Sequence, residues 1–434
     1  MGKLVVDLSR YAGAVPDYQG SVQELYQLGE NPEWMLCRTT PGGSVFDVGT
    51  IFSIPQSDVC RTAIRHKIYS LLGSAAEWQA IEGQILEQYS SDSEYLEFLS
   101  QGILEEFKTR GAATHHLGML DKDSGELYSG EFPPGPSQYV IVKKYQVIKP
   151  ERVSFLSRRL WDYSGYSGRD GYVIPLENIV RFGVTPGSSI YKKYLRLGDR
   201  DKKAYLDELG LKDQLAPWTM FPAPIVDFTT KYEPEDRSLS LQEAFYISGC
   251  GGEMFKDIIR MSALGSLLVS RFFAQLGLLL WDLKWEIARD GDRLVFVDTI
   301  DTDSIRVTSR VEYRDRPYFV NFNKQSMRDY YKILHPQWFE AVQSAKAEAD
   351  KSGRSFLDHL GEGQDKGYYP RTPEVDPDFT AIQEDKFGAL LKFLAGVAGA
   401  AGTVEALAGI GAREIKYYEA NGALEEFAKI NGVV

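Results

Sequence analysis

Over the first sixty residues apolar and polar positions alternate in short runs, as in Trp34-Met-Leu-Cys37 and Ser44-Val-Phe-Asp-Val48, with Gly and Pro between them. That texture predicts an antiparallel sheet with tight turns. From about Arg61 to Lys108 the apolar spacing lengthens, through Ile68, Leu71 and Leu72 and then Ile103, Leu104 and Phe107, so helices are expected. Gln138-Tyr-Val-Ile-Val-Lys-Lys144 predicts a strand after the turn-rich Pro133–Ser137. Residues 150–172, rich in Arg, Tyr, Ser and Gly, read as an inserted loop or lid. A strand over Pro175–Val184 follows, then helices from about Leu241 to Gly249 and from Glu253 to Leu276. Next comes a hairpin, Leu278–Glu286 with Arg293–Asp298, turning at Asp290-Gly291, a strong short-range hairpin signal. Residues 361–385 are acidic and turn-rich and read as a linker before a helical tail.

The hairpin carries the chemistry. Successive side chains of a strand point to opposite faces, so Asp282, Lys284 and Glu286 project together while Leu283, Trp285 and Ile287 project oppositely. Three charges on one face of an otherwise apolar strand are costly unless that face is wet or holds ions. The return strand ends at Asp298, followed by Asp301, Asp303 and Arg306. Glu286 and Asp298 have the donor chemistry for a Mg²⁺ that bridges nucleotide phosphates, with Lys284 neutralising phosphate charge. A solvated face of cross-strand ion pairs is the plainer alternative. A two-residue loop at Asp290-Gly291 would pair Leu283 with Asp298 and aim Asp298 at the wrong face. A three-residue, bulged loop pairs Lys284 with Asp298 and gathers the charges, and is therefore expected. Leu294 and Phe296 would then share the charged face and floor an adenine ring.

Composition narrows the classes. Among 434 residues, 49 Lys and Arg stand against 61 Asp and Glu, a net charge of −12, which argues against a general nucleic-acid surface. Cys37, Cys60 and Cys250 are too few and too scattered for a disulfide framework, and five histidines make a structural zinc site improbable. His115-His116 suits a turn better than a metal pair, because neighbours on a strand point apart. Neither a P-loop nor a G-x-S-x-G elbow is present. Met1-Gly-Lys-Leu-Val-Val-Asp7 is unlike a secretory signal, and Lys392 and Glu405 interrupt the apolar stretch Phe387–Ile410. A cytoplasmic chain with no membrane span is expected.

Several segments, taken in order, resemble the SAICAR synthetase (phosphoribosylaminoimidazole-succinocarboxamide synthase) family. Its Asp-x-Lys-x-Glu strand matches Asp282-Leu-Lys-Trp-Glu286, and Asp298-Thr-Ile-Asp-Thr-Asp-Ser-Ile-Arg306 keeps the family's Asp-to-Arg spacing. Ile174-Pro-Leu-Glu-Asn-Ile-Val-Arg181 with Pro186-Gly-Ser-Ser189 is similar to its Val-Pro-x-Glu-x-Val-Val-Arg and Gly-Ser substrate loop. Pro222-Ala-Pro-Ile225 with Thr229-Thr-Lys231, and Asn323-Lys-Gln-Ser-Met-Arg-Asp329, resemble two further family segments. Thr114-His-His-Leu117 and Ser44-Val-Phe-Asp47 are weaker echoes. The family's opening Gly-Lys-x-Lys-x-Val-Tyr corresponds to Gly20-Ser-Val-Gln-Glu-Leu-Tyr26, where Ser21 and Gln23 replace both lysines.

The resemblance implies an α+β, two-lobed fold related to the kinase-like and ATP-grasp nucleotide clamps, with antiparallel sheets, an inserted lid and a C-terminal helical extension. It implies residues 1–145 as a nucleotide-binding lobe, 146–172 as insertion and hinge, 173–360 as a substrate and metal-binding lobe, and 361–434 as acidic linker and tail. The implied activity is ATP- and Mg²⁺-dependent: a carboxylate on a phosphorylated imidazole substrate becomes an acyl phosphate, and an amino acid's amine displaces phosphate. Carried over by position, Glu286 and Asp298 hold the metal while Asp282 and Lys284 are catalytic. Arg181, Ser188, Ser189, Lys231, Arg306, Lys324 and Arg328 bind the acidic substrates. Gly20 contacts nucleotide, and Lys143 or Lys144 takes the place of the missing lysines. A homo-oligomer is compatible with this. A ligand-binding descendant without turnover, and a phosphotransferase of the inositol-phosphate kinase type, remain alternatives.

Overall fold

The computed structural model describes residues 4–29, 31–89 and 92–433. Strands β1 (Tyr18–Gln19), β2 (Gln23–Gln27) and β3 (Trp34–Thr39) open the chain, followed by a hairpin of β4 (Gly42–Ser44) and β5 (Thr50–Ser53). Four helices follow: α1 (Ser57–Leu72), α2 (Ala75–Gln88), α3 (Ser93–Ser100) and α4 (Ile103–Arg110). Ser74 caps α2 by accepting from the Glu77 amide, as an N-cap serine does. The chain then forms β6 (Ala113–Thr114), β7 (His116–Asp121), β8 (Leu127–Tyr128) and β9 (Pro136–Lys143). The first sheet has the order β1-β2-β3-β9-β7-β8.

Residues 146–172 form a hairpin, β10 (Glu151–Phe155) with β11 (Arg158–Asp162), whose strands pair only with each other. Its tip residues Phe155 and Leu156 are exposed. After β12 (Tyr172–Val173) and β13 (Leu176–Val184) come α5 (Ser189–Arg196), α6 (Asp199–Glu208), β14 (Thr219–Thr230), β15 (Ser238–Leu239), α7 (Leu241–Ser248) and α8 (Gly252–Ala274). Ser240 and Glu243 close a capping box on α7, and the apolar face of α8 lies on the next strand, β16 (Leu278–Asp290). β16 is the spine of the second sheet, pairing with β12, β13, β17 (Arg293–Val297) and β18 (Ile305–Tyr313). β18 continues to β19 (Arg316–Asn321), and β6 adds in parallel to β17, which ties the first half of the chain to the second sheet.

The remaining helices are α9 (Gln325–Leu334), α10 (Pro336–Ser352), α11 (Phe356–Asp365), α12 (Pro377–Leu394), α13 (Ala400–Ala420) and α14 (Leu424–Asn431). The expected 361–385 linker is partly helical: α11 runs into it, and Asp376 with Pro377 starts α12 inside it. α12 packs against α1 and α13, and a buried Lys386–Glu414 ion pair joins the two tail helices. One continuous core runs from Val45 and Ile64 through Trp285 and Phe296 to Phe427 in the tail. No helix among the described residues is long and apolar enough to cross a membrane. The mixed, mainly antiparallel α+β architecture matches the sequence reading.

Candidate active site

The site is built on the register of β16 against its neighbours. Arg181 of β13 lies opposite Asp282, as does Arg306 of β18. Asp282 accepts from Arg306 at 2.6 Å and stands 3.6 Å from Arg181. Arg181 is buried, ion-paired with Asp227 at 2.9 Å, and donates to Ser189 Oγ. Asp282 therefore fixes two guanidinium groups in place and is not a free base.

Two residues along, Ile179 lies opposite Lys284. Lys284 reaches Glu177 at 2.5 Å and Glu286 at 3.3 Å, while Lys231 bridges Glu177 and Glu286. Burial alone would raise Glu177, but the two ammonium groups outweigh it and hold this carboxylate below the usual range. Three carboxylates, counting Asp298, thus share two lysines.

Asp298 arrives by a route that strand alternation does not anticipate. The hairpin pairs Asp290 with Arg293 and Glu286 with Val297, so its loop is the two residues Gly291 and Asp292. Gly291, at φ +65°, takes the positive φ that the first loop position of such a turn favours. The expected three-residue bulge is absent, and simple continuation would put Asp298 across from Trp285. Instead the strand ends at Val297 and Asp298 turns with φ +67°, an uncommon conformation for a non-glycine residue. Its carboxylate then meets that of Glu286. Burial and the Asp298 charge push Glu286 up, whereas for Asp298 the upward pull of burial is outweighed by the bond from Glu286 and the nearby lysines, which hold it low.

The turned backbone is clamped from the other half of the molecule. The Asp298 carbonyl accepts from Tyr69 Oη of α1 at 2.7 Å and from His115 Nε2 at 3.0 Å. A carbonyl only accepts, so this shorter contact calls for a proton on Nε2, although Arg65 Nη2, a donor, also stands 3.4 Å from the same nitrogen. Burial and the neighbouring Arg65 push the His115 imidazole down to about 3, keeping it neutral. His115 also bonds through its backbone to Phe296 and Lys143, and so joins the two sheets.

A cleft of about 510 Å³ lies over this arrangement. Of the residues the sequence points to, it is lined by Gly20, Asp282, Lys284, Asp298, Arg306, Lys324 and Arg328. One flank carries surplus positive charge. Burial lowers Lys192 of α5, and repulsion from Lys332, Arg306 and Arg328 lowers it further; Arg328 is lowered by burial and by Arg306. Arg306 is matched by Asp282, but Lys192, Lys332 and Arg328 crowd beside it, which suits this flank to an anionic group. Lys192 and Lys332 carried no motif that pointed to them, since their neighbours come from three separate elements.

Other expectations are corrected. Leu294 and Phe296 do not floor the cleft: the true register puts them on the Trp285 face, where Phe296 is fully buried 4.6 Å from Trp285. Lys143 and Lys144 do not line the cleft. Lys143 pairs with Asp290 at 2.7 Å, and Lys144 reaches Gln27 at 3.5 Å. Ser188 is fully buried beside the cleft and does not line it, as is the guanidinium of Arg181. Ser21 and Gln23 do line it, and Gln23 Nε2 donates to Thr299 Oγ1 at 2.6 Å. Glu177, Arg61, Tyr69 and His115 were missed. Glu177 was within reach, as a charged residue in a strand one register step from Glu286.

Among the described residues no group of three or more His, Cys, Asp or Glu is gathered to cage a metal. The Glu286–Asp298 pair still fits Mg²⁺, which is held by one or two carboxylates with substrate phosphates completing its shell.

The SAICAR synthetase family model matches residues 17–345 of the chain. The phosphoribosylaminoimidazole-succinocarboxamide synthase of Thermoplasma acidophilum is 30% identical over 245 residues, 56% of this chain and 71% of that protein. The enzyme of the same name from Thermoplasma volcanium is 32% identical over 187 residues, 42% of this chain and 61% of that protein. A solved SAICAR-synthase from Saccharomyces cerevisiae, complexed with SAICAR, is 17% identical with a TM-score of 0.47, covering 89% of this chain and 96% of that one. The helices from α11 onward lie outside the family match.

Proposed function

The chain belongs to the SAICAR synthetase family, and on that premise we propose that it is an ATP-dependent carboxylate–amine ligase. Its substrates would be a phosphorylated heteroaromatic carboxylate and an amino acid such as aspartate, with the nucleotide clamped between the two sheets in a kinase-like manner. The observation that carries this is the meeting of the buried Glu286 with Asp298 beside Lys284, where Asp298 and Lys284 open on a cleft that Arg306 and Arg328 also line.

In this reading Glu286 and Asp298 hold Mg²⁺, which when bound neutralises charge between phosphate oxygens. Lys284 and Lys231 keep the three carboxylates from repelling one another and orient phosphate oxygens. Arg306 and Arg328, with Lys192 and Lys332, grip the phosphate of the carboxylate substrate. Asp282 holds Arg306 at the angle that grip needs. A substrate carboxylate oxygen takes the γ-phosphoryl group and ADP departs. The amine then forms the C–N bond while the acyl C–O bond breaks, and phosphate leaves with that electron pair and a proton from the amine. Such chemistry is mostly positioning and charge neutralisation, which a cluster of Arg and Lys around a carboxylate pair supplies.

Ser21 and Gln23 in place of lysines favour a second reading, a ligand-binding relative without turnover. Phosphate release from ATP, with aspartate and a panel of phosphorylated imidazole carboxylates, separates the two. Release that needs both partners supports the ligase; nucleotide binding without release under any pairing supports the second.

A further inference from the structure

Helix α9 has two working faces. Gln325, Arg328 and Lys332, spaced at i, i+3 and i+7, share the face beside the cleft, while Ser326 and Asp329 share the face turned to the tail. The tail face is joined to α12, α13 and α14 by a buried polar network. Ser326 Oγ donates to Glu414 at 2.8 Å, and Gln383 Nε2 donates to the same carboxylate at 3.1 Å. Lys386 pairs with Glu414 and donates to the Asn321 carbonyl at 2.6 Å. Asp329, only 1% exposed, accepts on one oxygen from Asn321 Nδ2 at 3.0 Å and from Asn431 Nδ2 of α14 at 3.3 Å. Its other oxygen accepts from Gln325 Nε2 at 2.8 Å. Gln325 Oε1 in turn accepts from Arg328 Nη1 at 3.4 Å. The Gln325 amide is thus oriented at both ends, and it also stands against the substrate loop, where a Cβ on Gly187 would lie 3.7 Å from Oε1. A line of hydrogen bonds therefore runs from the last helix of the chain to a guanidinium in the cleft.

Arg328 needs such a restraint. Burial and repulsion from Arg306 both oppose its charge, and a guanidinium left free would swing away from them. Buried polar groups are costly unless paired, so the network on the other face favours one placement of α9. We propose that Asn431 is a positioning residue: through Asp329 and Gln325 it holds Arg328 toward the cleft, so that the tail sets the affinity for a phosphate monoester. This rests on the reading of Arg306, Arg328, Lys192 and Lys332 as the grip on the substrate's phosphate. α14 lies outside the family match, so support for the phosphate site comes from a part of the chain that the family model does not describe.

The test titrates ribose 5-phosphate, a plain phosphate monoester, into the full-length protein by calorimetry, with a non-hydrolysable ATP analogue and Mg²⁺ in a parallel run. Asn431→Leu removes the donor at nearly constant volume, and Gln325→Met cuts the line midway. Each should weaken ribose 5-phosphate about fivefold or more and leave the analogue within about twofold. Phe427→Leu loosens the same helix through apolar packing alone, against Tyr318 and Tyr418, and should leave both affinities within about twofold. If Asn431→Leu does not fold, Asn431→Ser, too short to reach Asp329, carries the same expectation. Unchanged ribose 5-phosphate affinity in either line-breaking variant, an equal loss in Phe427→Leu, or a parallel loss of the analogue would overturn the proposal and leave the ligase reading standing. No binding of ribose 5-phosphate by the parent would instead remove the phosphate grip, and this proposal with it.

Discussion

The conformation of Asp298 gives the sharpest mechanical prediction. A left-handed backbone costs a non-glycine residue roughly 1–2 kcal/mol, and here it is held by Tyr69 at 2.7 Å and His115 at 3.0 Å on one carbonyl. Tyr69→Phe removes one of the two donors from a buried acceptor. The full loss is about 1–3 kcal/mol, and because His115 stays, the low end, about 1 kcal/mol, is expected. Freed in part, the Asp298 carboxylate spends less time against Glu286. Loss of groups that orient a metal ligand weakens affinity by about 10–100-fold. Tyr69→Phe should therefore bind Mn²⁺, used as a Mg²⁺ probe, about tenfold more weakly, and Tyr69→Phe/His115→Gln about 100-fold more weakly. Calorimetric titration of Mn²⁺ measures this, with urea denaturation run alongside. Mn²⁺ affinity within twofold of the parent in a destabilised double variant would refute the clamp, leaving these residues a purely structural role.

Glu286→Gln removes a proposed metal ligand and an ion-pair partner of Lys231 and Lys284, and should abolish Mn²⁺ binding; retained binding would reassign the site. Stability should fall as pH drops below 6.5. His115 is held down to about 3 and His116 well below its usual value, by burial first and then by neighbouring charge. The unfolded chain takes up these protons near 6.5 and the folded one does not. Stability is thus fully present above that pH and is lost below it at about 1.4 kcal/mol per unit for each histidine. A flat urea midpoint between pH 7 and 5 would contradict the neutral assignment. Lys386→Met leaves Glu414 buried and unpaired, and should cost about 3–5 kcal/mol, with Lys386→Met/Glu414→Gln recovering most of it by the same assay.

The sheet and helix periods were legible in the chain, and so was the charged face of Asp282, Lys284 and Glu286, because alternation along one strand is a local property. Which residues face it across the hairpin was not. The register depended on where a two-residue loop sits, and a shift of one residue exchanged Leu294 and Phe296 for Val295 and Val297 on that face. Asp298 reached Glu286 all the same, through a single positive φ that no periodicity encodes. Lys143 illustrates the other limit: its neighbour Asp290 is remote in sequence, so the pairing that occupies it is invisible to motif reading. The bond from Asn431 to Asp329 arises from packing α14 on α9, a contact between residues 102 positions apart.

The proposed ligase depends on a Mg²⁺-dependent nucleotide site at Glu286 and Asp298. Calorimetric titration of ATP into the parent and Glu286→Gln, each with Mg²⁺ and with EDTA, tests it most directly. Binding by the parent should require Mg²⁺ and disappear in the variant. Equal affinity with EDTA, or an unchanged variant, would contradict it.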